Sequence, residues 1–220
     1  MDIEDIEEEV EVLADELDDF CDNSQDADRL YLGTQIFFSP MVYNADIMFL
    51  GINPGPGYYN YYNRKVRNFY PLEEHEYLNL SYTLAGAWRS IFENLGRMDL
   101  LENSFKSNCF YFSTETTKSL EQLKSLAWNY RNIDLDKKSE AWTDALLEEV
   151  NPKLLICEGK AVKKMLSSWY KYDFTDYDEF SGYLENHGIE VMIVERMSCN
   201  LKNKARIEKS LRKYIRDLVI

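Results

Sequence analysis

The stretch Asp46-Ile-Met-Phe-Leu-Gly-Ile-Asn-Pro-Gly-Pro-Gly57 decides the fold prediction for this chain. Its apolar part, residues 47–50, predicts a strand buried on both faces, and the Gly and Pro residues after it predict a tight loop. Ligands of open α/β sheets bind just beyond the carboxyl ends of the strands. We therefore expect Asn53 to lie at the mouth of a site, although the pattern is also typical of an ordinary exit from a strand.

Composition bounds the classes of protein to which the chain can belong. Its 220 residues, 45% of them hydrophobic, suit one α/β domain. No apolar run reaches the length of a membrane span and the N-terminus is acidic, so we expect a cytoplasmic protein without membrane contact. The cysteines are too scattered for a structural zinc site or a disulfide framework. We expect no metal or cofactor, and core positions for Cys109 and Cys157.

The net charge of −14 is concentrated at the N-terminus. Residues 1–28 hold 14 of the 39 acidic residues and none of the Lys or Arg, so the other 25 acids balance the 25 bases of residues 29–220. An overall acidic chain argues against a nucleic-acid partner, whereas a neutral body with an acidic arm does not. The sequence predicts an arm, residues 1–28, and an α/β domain, residues 29–220.

The arm has apolar residues at alternating spacings of three and four, which predicts an amphipathic helix of about five turns. It could dock on the body with its acidic face in solvent, form a seam with a partner or a second copy, or pair with the basic C-terminal helix. The residues of the stripe are Ile3, Ile6, Val10, Leu13, Leu17 and Phe20.

Four buried runs separated by helical patterns predict a three-layer αβα domain with a central four-stranded parallel sheet. The predicted strands are residues 47–50, 107–113, 153–157 and 189–194, and the helical patterns are residues 83–96, 119–127 and 139–150. The aromatic and acidic segment 168–188 is expected to be an insertion or flap. His75 and His187 are expected to be exposed.

The motif Gly51-Ile-Asn-Pro-Gly-Pro56 resembles the first motif of the uracil-DNA glycosylase superfamily, in its mismatch-specific and single-strand-selective monofunctional branches. The resemblance covers roughly residues 36–200. It implies the glycosylase fold and a site for a flipped base, in which Asn53 orients the attacking water. Gly51, Ile52, Pro54 and Gly55 would contact the base.

The loop after the motif, residues 58–70, interleaves six aromatic residues with Arg64, Lys65 and Arg67. Aromatic faces stack on unpaired bases and cations meet phosphates, so the composition suits single-stranded or flipped nucleotides. The tyrosines could equally tie the loop to its own domain. In the resembling family one aromatic of this loop stacks on the base, which here would be Phe69 or a tyrosine.

Two later motifs of the family are changed in this chain. Where the glycosylases place a base-reading Asn at the end of the second strand, Ser113 or Thr114 stands, and a hydroxyl lacks the paired donor and acceptor of an amide. Where they place H-P-S-P, the chain has neither His nor Pro, and Arg196 and Ser198 are the substitute catalytic candidates. From Arg196 to Arg216 there are eight bases and one acid, typical of a phosphate-facing surface.

The sequence therefore predicts a divergent uracil-DNA glycosylase-like protein of DNA repair, a hydrolase that binds a flipped or single-stranded base of DNA and cleaves its N-glycosidic bond. An inactive binding module of the same fold is the alternative from another class. A third hypothesis is an unrelated nucleotide-binding α/β enzyme, for which the segment Glu158-Gly-Lys lacks the rest of a phosphate loop.

Overall fold

A computed structural model describes residues 1–57, 60, 64–197 and 200–218. Its main sheet has six strands in the order β4-β2-β5-β8-β7-β6. The first four are parallel, as predicted, whereas β7 pairs antiparallel with β8 and β6 pairs antiparallel with β7. Their bounds are β2 Ile47–Gly51, β4 Phe105–Asn108, β5 Leu154–Glu158, β6 Phe174–Asp178, β7 Ser181–Leu184 and β8 Ile189–Val194.

Helices cover both faces of this sheet, which gives the predicted α/β class and three layers. Side chains of each central strand point alternately to two hydrophobic cores, so that Met48 and Leu50 belong to one core and Ile47 and Phe49 to the other. We call them core A, which contains Met48, and core B, which contains Phe49. The helices are α1 Ile3–Asp22, α2 Gln25–Leu30, α3 Glu76–Asn79, α4 Thr83–Leu95, α5 Met98–Glu102, α6 Thr117–Arg131, α7 Leu135–Val150, α8 Lys160–Trp169 and α9 Lys204–Leu218.

Local sequence signals explain the ends of these helices. Asp2 and Asp5 form a reciprocal capping box at the start of α1. The C-cap of α4 is Gly96, with φ of 67°, as the sequence predicts. This crossover helix buries Trp88, Ile91 and Phe92 in core B.

A second layer of strands extends β4 beyond its end. The main chain from residue 109 to 113 stays extended, and Cys109 and Phe110 donate backbone hydrogen bonds to Gly51 and Ile52. The other side of segment 109–113 forms backbone hydrogen bonds with β1 Gly33–Gln35. Strand β1 pairs in parallel with β3 Val66–Asn68. Two further strands, β9 Arg196–Met197 and β10 Asn200–Leu201, pair antiparallel with each other after β8.

Three sequence predictions are corrected. Segment 168–188 is no flap, because most of it continues α8 or forms the hairpin β6–β7, which extends the main sheet. The second parallel strand ends at Asn108, and residues 109–113 continue from it into the second layer. His75 is buried, with 1% of its surface exposed, and His187 contacts Asp144.

The acidic arm is part of the body's core. The stripe of α1 is buried in core A, and Trp142 of α7 donates a hydrogen bond to Glu9 over 2.9 Å. The buried side chains of α9, Ile207 and Leu211, belong to core B, on the opposite face of the sheet. The arm is therefore docked on the body, one of the arrangements that the sequence allows, and it packs on the opposite face of the sheet from the basic C-terminal helix.

Replacing Leu13 by Ala tests whether α1 is integral to the fold. Leu13 is 1% exposed, so its truncation should lower the free energy of unfolding by about 2–5 kcal/mol, through lost burial and a residual cavity. The change is measured by urea unfolding followed by circular dichroism. Val12→Ala is the control, because Val12 is 60% exposed and should shift stability by about 0.5 kcal/mol or less. Equal effects of the two changes would contradict the packing.

Candidate functional site

Asn53 lies two residues beyond the carboxyl end of β2 and is half-buried. Its Nδ2 lies 3.0 Å from Pro54 O, 3.2 Å from Phe112 O and 3.0 Å from Thr114 Oγ1. Carbonyl oxygens only accept hydrogen bonds, so the amide nitrogen must face them. The orientation of Asn53 is therefore fixed, and its Oδ1 receives no hydrogen bond from the described part of the chain.

The segment around residue 113 clamps the loop that carries Asn53. Ser113 Oγ donates to Gly55 O over 2.9 Å, and the Thr114 amide donates to Pro54 O over 3.3 Å. Thr114 Oγ1 donates to Thr116 O over 2.9 Å. The structure thus brings Ser113 and Thr114 to Asn53, as the sequence predicts. Both hydroxyl hydrogens are already engaged and both residues are buried, so these side chains hold the loop rather than face a ligand.

The other residues predicted to bind a base differ in their exposure to solvent. Gly51 and Pro54 are buried, Ile52 is half-buried, and Gly55 is exposed. Phe69 belongs to core A with 6% of its surface exposed, so its ring presents no free face for stacking. The tyrosines at positions 58, 59, 61 and 62 lie outside the described residues.

Arg196 begins β9, after β8, and is half-buried. The preceding strand, β8, lies two places from β2 in the main sheet, with β5 between them, so the axes of β2 and β8 are roughly 10 Å apart. No described hydrogen bond joins Asn53 and Arg196. Ser198, the third catalytic candidate, lies outside the described residues.

A buried charged network, which sequence reasoning missed, occupies the same edge of the sheet on the side of core B. Glu158, the last residue of β5, is 3% exposed. Its Oε1 accepts hydrogen bonds from the hydroxyl of Tyr77 and, over 2.8 Å, from the indole of Trp88. Lys106 Nζ lies 3.6 Å from Glu158 Oε2 and 3.0 Å from Glu76 Oε1.

Opposing effects set the ionisation of Glu158. Burial alone would raise the pKa of its carboxyl group. The charges of Lys106 and Arg196 and the two hydrogen bonds outweigh burial and lower that pKa below its ordinary value. Glu158 is therefore a buried carboxylate that stays charged at neutral pH. Its negative charge interacts with the positive charge of the Arg196 guanidinium.

His75 borders this network as a neutral imidazole. Its Nδ1 accepts a hydrogen bond from the Tyr77 amide over 3.1 Å, so the proton resides on Nε2. Burial, followed by the charge of Lys106, lowers its pKa to about 3. Nε2 has no hydrogen-bond partner among the described residues. His75 is consequently no replacement for a charged catalytic histidine at neutral pH.

Sequence signals for this network exist but are short. Glu158 is an acid that directly ends an apolar run, at the edge where α/β sites form. Lys106 falls just outside the run of residues 107–113 from which the second strand was predicted. The tertiary partners of Glu158 lie 81 and 70 residues away in the chain, beyond the reach of local patterns.

The basic surface of α9 extends away from the Asn53 loop. Asn94 near the end of α4 contacts both Glu208 and Arg212, so the middle of α9 lies beside the far end of that helix. None of the seven Lys and Arg residues between 202 and 216 forms an ion pair with a described residue. Only the start of α9 lies near the carboxyl ends of the strands.

Comparison of the sequence with models of known protein families and with curated proteins finds no match. Within the described ranges, no three His, Cys, Asp or Glu side chains are grouped so as to hold a metal ion. The helices in those ranges are too short or too polar to cross a membrane.

Gly51 is predicted to tolerate no side chain, in contrast to Gly55. A Cβ on Gly51 would lie far inside van der Waals contact with Asn108 Oδ1, whereas a Cβ on Gly55 meets nothing within 4 Å. Gly51→Ala should therefore lower the free energy of unfolding by about 1–3 kcal/mol through overpacking. Gly55→Ala should leave it nearly unchanged. Thermal unfolding of the two variants measures the difference, and equal melting temperatures would contradict the assigned packing.

Replacing Glu158 by Gln tests the charged network through pH. Because the folded pKa lies below the unfolded one, the carboxylate stabilises the fold fully above the unfolded pKa, and this stabilisation is lost as pH falls through the folded pKa. At pH 7 the substitution should cost about 3 kcal/mol, since Lys106 loses a buried partner. The cost should shrink on acidification.

The measurement is the free energy of unfolding of both proteins from neutral pH downwards. Glu93→Gln, at an exposed position of α4, is the matched control and should change stability little at any pH. A constant difference between Glu158→Gln and the parent protein across the acid range would show that Glu158 is not charged in the fold.

Proposed function

We propose that this chain binds a flipped or single-stranded DNA base at the loop 51–57 and hydrolyses its N-glycosidic bond, as a divergent relative of the uracil-DNA glycosylases. The observation that carries the proposal is the fixed amide of Asn53. Its nitrogen faces three acceptors, which share its two hydrogens, so Oδ1 is the end of the amide that remains for a ligand. The spelling of the motif, Gly51–Pro56, supports the same assignment.

The proposed reaction is attack of water on the sugar C1′. An amide oxygen accepts a hydrogen bond from that water and orients it, but it is too weak a base to take the proton in the ground state. The C1′–O bond forms as the C1′–N bond breaks, the base leaves with the bonding electrons, and the water's proton passes to solvent. The base must first leave the stack, because a paired base shields the bond from water.

Arg196 is the proposed electrostatic group for the leaving base. A guanidinium always carries its charge and stabilises negative charge that develops on the base. Glu158 offsets part of this charge, since the two groups interact through the interior of the sheet. We therefore expect a slower reaction than a free cation at this position would support.

Ser113 and Thr114 would add little to the recognition of the base. Their hydroxyl hydrogens bind backbone carbonyls, Thr114 Oγ1 also accepts from Asn53, and the two residues are only 6% and 1% exposed. Without a base-reading side chain at these positions, we expect broad selectivity among bases such as uracil, hypoxanthine and xanthine.

A binding module without catalysis is the second candidate, and specific observations favour it. Segment 195–200 has no His to stabilise the departing base, and Glu158 offsets part of the charge of Arg196. Such a module would hold a base or a single strand without cleaving it. The same experiment separates the two candidates.

The test uses labelled oligonucleotides, single- and double-stranded, that carry uracil, hypoxanthine or xanthine, assayed for abasic sites. Asn53→Ala should lower the rate of excision by roughly 100-fold, because the attacking water loses its orientation. Asn129→Ala, at an exposed site on α6, is the matched control and should act as the parent protein does. Excision that survives in Asn53→Ala would overturn the catalytic role, and binding without excision by the parent protein would favour the module.

A further inference from the structure

The strand β3 lies beside the loop that carries Asn53. Ser113, which clamps Gly55, donates its backbone N–H to Gly33 of β1, and Gly33 is paired with Val66 of β3. Two strand spacings separate residue 113 from residue 66, which is roughly 10 Å. Cations on β3 are therefore within one or two nucleotides of a base bound at Asn53.

Lys65 and Arg67 flank Val66 and share one side of the strand, since side chains alternate along it. Lys65 Nζ lies 5.2 Å from the centre of the Tyr31 ring, and the Arg67 guanidinium lies 5.3 Å from that of Phe69. Because Tyr31 and Phe69 are buried, these contacts hold the two cations in place at the surface and leave no ring face for a base. Both keep part of their surface exposed, 25% for Lys65 and 35% for Arg67.

Carboxylates of the N-terminal segment already form ion pairs with these cations. Arg67 pairs with Asp15 over 2.6 Å and with Asp18 over 2.7 Å. Lys65 pairs with Asp28 over 2.8 Å and lies 3.8 Å from Asp18. Ion pairs between such exposed groups add little to stability and exchange readily for another anion. The carboxylates thus stand where phosphate oxygens would bind.

The helix that carries Asp15 and Asp18 stays in place during such an exchange. Its apolar stripe is buried in core A, and each buried side chain opposes undocking. What can exchange is the set of ion pairs, since Asp15 itself is 68% exposed. The aspartates are therefore a fixed row of negative charge beside β3.

We propose that Lys65 and Arg67 form a binding strip for the phosphate backbone of single-stranded DNA, for which Asp15, Asp18 and Asp28 compete. The inference rests on the proposed function, because it places the backbone that flanks the base bound at Asn53. It gives α1 a role in setting affinity: the helix weakens binding to any strand that does not also insert a base into the loop.

The experiment measures binding of a labelled oligothymidine, which offers no excisable base, to the full chain by fluorescence anisotropy. Asp15→Asn with Asp18→Asn and Asp28→Asn should tighten binding about tenfold at low salt, because Lys65 and Arg67 are then both freed to meet phosphates. The slope of log K against log salt should steepen by about 1.4, at roughly 0.7 for each phosphate contact with a single strand. Thermal unfolding checks that the variant folds.

Two controls assign the effect to β3. Glu4→Gln with Glu8→Gln and Glu11→Gln changes the net charge equally, at exposed positions of α1 that have no ion-pair partner among the described residues. It should shift affinity by less than about twofold, because salt screens distant charge. Adding Lys65→Gln and Arg67→Gln to the aspartate variant should abolish the gain.

An unchanged affinity in the aspartate variant would overturn the proposal, as would a gain that persists without Lys65 and Arg67 or that the glutamate control reproduces. The result is independent of excision, since oligothymidine carries no substrate base. Failure of the excision assay with a successful binding assay would leave the strip in place and remove only the catalytic proposal.

Discussion

The carboxylate of Glu158 is the interaction on which the carboxyl end of the sheet depends. A buried carboxylate without partners costs several kcal/mol of stability, so the groups that compensate it must stay within reach. Lys106 comes from β4, Tyr77 from α3 and Trp88 from α4, and their contacts with Glu158 fix two helices to two strands. Arg196 adds the end of β8 to the same group.

This constraint shapes the space in which the proposed chemistry takes place. On the side of core B the strand ends are closed by the network, and Asn108 fills the volume beside Gly51. On the other side the clamp from residues 112–114 holds Asn53. The loop 51–57 is consequently fixed from both sides, and its free functional group is one amide oxygen rather than a pair of catalytic side chains.

Much of the fold could be predicted from local patterns. The four parallel strands have continuous apolar runs because both of their faces are buried, and α1 and α4 have the helical period of one buried face. The hairpin β6–β7 was missed because β6 is an exposed edge strand, rich in acids, whose sequence gives no alternation of apolar residues. The hairpin is held in the sheet by the pairing of β7 with β8, a tertiary contact that local sequence does not encode.

The site was predictable only where the residues are close in sequence. Asn53 follows from its strand and loop, and the position of Ser113 and Thr114 follows from the end of the second run. The network around Glu158 and the ion pairs of Arg67 join residues some 50 to 80 positions apart. Such contacts form only because each helix covers a particular face of the sheet. The pattern of charges in the sequence does not reveal which face that is. The acidic arm could have met the cations of α9 or those beside β3. Burial of its apolar stripe in core A places it beside β3.

The bond between Glu9 and Trp142 also bears on how the chain folds. The two residues are 133 positions apart, so at synthesis rates of about 5–20 residues per second the N-terminal helix waits on the order of ten seconds for the partner that covers it. Through that interval its apolar stripe faces water. The carboxylates along the rest of the helix keep the nascent segment hydrated and repel its copies on neighbouring ribosomes. We therefore expect the negative charge of α1 to oppose association of unfinished chains through this stripe.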